Sequence, residues 1–71
     1  MIEYGTVTKC YKQDNGYTIE YKPDNPFLFW KRRLGHGFTH PFRINSKIKV
    51  LLERVLGSKI VVGAKYDSKN N

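Results

Sequence analysis

Seventy-one residues with a single cysteine, Cys10, make one small domain that no internal disulfide can staple. The formal charge is +7, from 13 basic against 6 acidic residues, and no apolar run approaches the roughly 18–20 residues of a membrane-spanning helix. The opening "MIEYGTV" carries an acid at position 3 and no apolar core, unlike a signal peptide, so the expected location is the cytoplasm, with no membrane partner.

In chain order, "MIEYGTVTKCY" is rich in β-branched and aromatic residues and is expected to be a strand, with Gly5 marking a bulge or sharp bend. "KQDNGY" is a turn, for which Asp14, Asn15 and Gly16 supply the backbone chemistry of a hairpin. "YTIEYK" alternates, placing Tyr17, Ile19 and Tyr21 on one face and Thr18, Glu20 and Lys22 on the other. "PDNP" stops that strand. "FLFW" is then expected to be a short apolar third strand with Phe27 and Phe29 buried. A basic stretch follows as the connecting loop. Over 46–66 two patterns compete. Ile48, Leu51, Leu52, Val55 and Leu56 form a helical stripe with Ser46 as N-cap and Gly57 beyond its end. Alternatively, Ile48, Val50 and Leu52 face one way and Lys49, Leu51 and Glu53 the other, with Gly57-Ser58 turning into "KIVVGAKY". The hairpin is preferred because "KIVVGAKY" needs an antiparallel neighbour. The expectation is thus an all-β domain over residues 1–66, a small five-stranded OB-like or SH3-like barrel, followed by a disordered tail at 67–71. A short helix in the loop after strand three, or at 47–56, is the variant on this plan.

This layout resembles an OB-fold nucleic-acid-binding domain and, loosely, bacterial translation initiation factor 1. Gly5, Thr6 and Val7 match the strand that opens that family's barrel, and Tyr17, Ile19 and Glu20 match the pattern of its second strand. Lys31, Arg32 and Arg33 occupy the place of its basic cluster, Lys47, Ile48 and Val50 approximate its fourth strand, and Gly57 through Val61 approximate its last. Asn45-Ser46 replaces the family's Gly-Asp, the first-strand loop differs, and "NPFLFW" has no counterpart there. The resemblance implies an OB-like fold and RNA-type binding.

Charge is distributed unevenly. Residues 31–54 hold seven cations and one acid, and no acid occurs between Asp24 and Glu53. "FWKRRLGHGFTHPFRIN", Phe29 to Asn45, interleaves four cations and two histidines with four large aromatics. Cations neutralise phosphates and exposed rings stack on bases, the two needs of a single-strand binder. The expected contacts are therefore Lys31, Arg32, Arg33, Arg43, Lys47 and Lys49 for phosphates, with Trp30 and Phe38 as stacking platforms. Phe42, Tyr11 and Tyr17 are further candidates, and Tyr21 and Tyr66 are expected to pack in the barrel with hydroxyls reaching water. His36 and His40 are four apart, but Gly37 and Pro41 oppose the helix that a two-histidine metal site at that spacing needs. No metal, cofactor, small-molecule substrate or enzymatic activity is expected. The expected function is binding of RNA or DNA, single-stranded or structured. The alternative is an accessory protein of the kind carried by phages and mobile elements, which docks on an acidic surface of a host polymerase, nuclease or ribosome component with Trp30 and Arg32 or Arg33 as anchors.

Overall fold

The computed structural model describes residues 1–68, and its strands are set by alternation. They are β1 (Ile2–Gln13), β2 (Gly16–Pro23), β3 (Arg33–Phe38), β4 (Lys47–Val55) and β5 (Ser58–Tyr66). In β4, Ile48, Val50 and Leu52 are buried while Leu51 and Glu53 are exposed, so 47–55 is a strand and the helical stripe is not used. β4 and β5 meet at Val55 and Ser58 across a two-residue turn whose residues Leu56 and Gly57 have φ of 50° and 82°. Positive φ at both positions gives the twist a tight hairpin requires.

All pairings are antiparallel, in the order β3-β2-β1-β4-β5. The first three strands form a meander and the fourth returns beside the first, which is a Greek key. The end strands then approach each other at Gly35 and Val61, nearly closing the barrel. A leading three-strand meander with β4 against β1 is the OB-like order, not the SH3-like one. Val7, Ile19, Tyr21, Phe42, Ile48, Val50 and Leu52 fill the interior, with Phe38, Val61, Ala64 and Tyr66 packed around them.

Three expectations are corrected. The third strand is not "FLFW" but "RLGHGF", because the residues before it are captured by a 3-10 turn at Pro26–Leu28. Asn25 Oδ1 accepts the Phe27 N–H at 3.0 Å, Pro26 supplies a fixed φ at the first position, and Leu28 N–H donates to Asn25 O at 2.9 Å. Among the described residues this turn is the only helical element, so it precedes strand three instead of following it. Second, the register shift between β1 and β2 falls between Val7 and Lys9, not at Gly5. Gly5 serves close approach: a Cβ there would meet the Tyr21 ring and lie 2.8 Å from Lys22 O. Third, the Tyr21 hydroxyl does not reach water. It donates to Glu3 Oε1 at 2.8 Å inside the barrel wall. Of the expected tail, Asp67 donates its backbone N–H to Lys47 O at 3.0 Å, and residues 69–71 lie outside the described residues.

Candidate nucleic-acid interface

The β2–β3 connection is where large rings leave the core. At the 3-10 turn only Leu28 is partly covered, and Phe27, Phe29 and Trp30 stand outward at 81%, 65% and 62% exposure. Phe29 and Trp30 meet edge to face, centroids 5.2 Å apart at 88°, which fixes the two rings relative to each other. Lys31 N–H closes the turn on Leu28 O at 2.9 Å. Arg32 folds back on it, donating from Nη1 to Phe29 O at 3.2 Å and Lys31 O at 2.8 Å. The guanidinium is thereby tied to the backbone of its own loop, while the residue as a whole stays exposed. Trp30, Lys31 and Arg32 therefore share one rigidly built loop.

Arg33, one residue on, is placed differently. Its Nε donates to Glu3 Oε1 at 2.7 Å and its Nη2 to Glu3 Oε2 at 3.3 Å, with only 16% of the side chain exposed. It ties β3 to β1 and is not presented to solvent as a phosphate contact. The same carboxylate accepts from Tyr21. Burial, with the Glu3 charge adding to it, pushes the Tyr21 phenol well above its ordinary value.

The other expected contacts are dispersed. Phe38, half-buried, packs edge to face on Phe42 at 5.2 Å, and Phe42 itself is in the core, so neither ring is a free stacking platform. Arg43 is exposed and lies 4.4 Å over the Tyr66 ring, whose hydroxyl accepts the Arg43 N–H at 2.8 Å. Lys47 donates to Thr6 Oγ1 at 2.9 Å and Asp24 Oδ1 at 3.2 Å. Lys49 stands on the outer face of β4 opposite Lys65, apart from the loop. The structure thus groups Trp30, Lys31 and Arg32 and separates Arg33, Phe38, Arg43 and Lys49 from them.

Two features extend the loop. A shallow groove runs beside Phe29, floored by Thr6 and Thr8 and lined by Lys22, Asn45 and Lys47. On the outer face of β1–β2–β3, Tyr11 is exposed opposite Thr18, and His36 sits next to it. Thr18 Oγ1 donates its only proton to Gln13 Oε1 at 2.9 Å, so it accepts from His36 Nδ1 at 3.0 Å, which leaves Nε2 available for a ligand. Sequence reasoning missed the exposure of Phe27 and Phe29, because a strand at "FLFW" would turn both to its inner face. The signal that could have found it is Asn25-Pro26, an Asx cap followed by a proline at a first helical position.

The fold and this surface together define a small basic OB-like barrel with an exposed aromatic–cationic loop. No protein-family model, curated protein or solved structure matches the chain, and the likeness to initiation factor 1 rests on the residues quoted above.

Proposed function

We propose that this protein binds single-stranded nucleic acid through the β2–β3 loop. The observation that carries the proposal is the exposure of Phe27, Phe29 and Trp30 directly before Lys31 and Arg32. Burying three such rings would stabilise a domain this small by about 1.5–3 kcal/mol each, so leaving them in water needs a reason outside the fold. A base stacked on an aromatic ring gains roughly 1–3 kcal/mol whatever its identity, and cations beside the ring hold the phosphate that follows. In this arrangement Trp30 and Phe29 stack bases, Lys31 and Arg32 contact phosphates, and Lys22 continues the path along the Phe29 groove. Tyr11 and His36 lie on the strand face that OB-like barrels turn to their ligands. A cytoplasmic location belongs to the same proposal.

The test is fluorescence anisotropy of a labelled single strand. Trp30→Ala is expected to weaken binding by about 5- to 160-fold at any salt concentration. Lys31→Ala with Arg32→Ala is expected to lower the slope of log affinity against log salt by about 1.4, since each phosphate contact contributes roughly 0.7 on a single strand. Equal affinities for all three proteins would remove the loop from the interface.

The second reading, docking on an acidic protein, keeps one specific observation in its favour. The tip of the β4–β5 hairpin displays a fully exposed Leu56 between Arg54 and Lys59, which pair directly across the strands. In that reading Leu56 would enter an apolar pocket while Arg54 and Lys59 meet carboxylates around it.

A further inference from the structure

The outer face of β1–β4–β5 carries a pattern that nothing within the chain satisfies. Along β4 the outward residues are Lys49, Leu51 and Glu53, in that order. Ile2 on β1 pairs with Leu51, Ile60 on β5 pairs with Glu53, and Val62 lies at the register shift between them. Leu51, Ile2, Ile60 and Val62 are each about half exposed, which makes an apolar strip across the outer side of three strands. Lys49 faces Lys65 directly across the ladder, and like charges in that position repel. Among the described residues neither lysine has an acidic partner, and neither does Glu53.

We infer that this face packs on the same face of a second copy of the chain, about a two-fold axis at Leu51. The argument is charge complementarity under symmetry. In an isologous contact with the two β4 strands antiparallel, each position i meets the position equally far beyond the axis. Leu51 then meets its own copy, and Lys49 of one protomer stands opposite Glu53 of the other, twice. Lys65 lies over the partner's Ile60, beside the same carboxylate. The apolar strip is covered, the lysine pair gains an acid, and Glu53 gains two cations. Four half-exposed apolar side chains per protomer make a small contact, so the association is weak and concentration-dependent. The inference is independent of the nucleic-acid proposal, which uses the β2–β3 loop.

Sedimentation equilibrium from micromolar to millimolar protein at low salt tests it. The unmodified chain is expected to move from monomer to dimer across that range. Lys49→Glu alone and Glu53→Lys alone each place like charges opposite one another and are expected to stay monomeric. The double variant Lys49→Glu/Glu53→Lys restores opposite charges across the axis and is expected to dimerise again, which a structural defect in either single variant would not do. A monomer at millimolar concentration would overturn the proposal, as would a dimer indifferent to both single reversals. A monomer whose Leu51→Asp variant loses affinity for an oligonucleotide would also overturn it and give the face to nucleic acid.

Discussion

Arg32 and Arg33 are neighbours in sequence, and their guanidinium groups end in different surroundings. Arg32 is exposed and bonded to carbonyls of its own loop, while Arg33 lies against Glu3, largely covered. Replacing both together would therefore mix two effects. Arg33→Ala strands a largely buried carboxylate and is expected to cost about 2 kcal/mol in urea unfolding, whereas Arg32→Ala changes stability by less than about 0.5 kcal/mol. Comparable losses in both variants would contradict this division. The third member of the cluster titrates. Tyr21 is held protonated in the folded chain above the value its phenol has when unfolded, so its contribution is fully present below about pH 10 and fades as pH rises beyond that. The urea midpoint should fall more steeply above pH 10 in the unmodified protein than in Tyr21→Phe. Parallel curves would show that Tyr21 is not the group responsible.

At the scale of elements, the strands with clean alternation were legible in the sequence and the strand without it was not. β2 follows from side-chain period, because a strand buried on one face must alternate, whereas at 47–56 the period also admits a helix and the need of "KIVVGAKY" for an antiparallel neighbour selects the β4–β5 hairpin. β3 contains Gly35 and Gly37 and carries His36 between them, so no propensity marks it. Its position comes from partners far away in sequence: Gly35 is needed because a Cβ there would lie 2.9 Å from the Phe38 ring and 3.0 Å from Val61. Such a constraint exists only once the barrel has closed. The candidate site was half legible. The cations of residues 31–33 were found from charge, but which of them points outward depends on Glu3, thirty residues earlier. The β4–β5 turn offers a direct check of element-level reasoning. Leu56 adopts φ of 50° with its side chain wholly in solvent, a conformation that costs a non-glycine residue about 1–2 kcal/mol and that asparagine tolerates better. Leu56→Asn should raise stability by about 1 kcal/mol, and an unchanged or lower unfolding midpoint would show that the turn is not strained.

For the molecule as a whole, the +7 charge does not by itself choose between phosphates and carboxylates as partners. The exposed rings serve either partner, stacking on bases or filling a pocket on a protein, so the two readings part only in a binding measurement. No helix among the described residues is long and apolar enough to cross a membrane. The most direct measurement is the emission of Trp30, the single tryptophan, during titration with short single-stranded RNA and DNA at low and high salt. The account predicts quenching that saturates at low salt and weakens sharply as salt rises, because a base covers the indole while Lys31 and Arg32 release counterions. Emission that does not change with either polymer at low salt would contradict the assignment of this loop to nucleic acid.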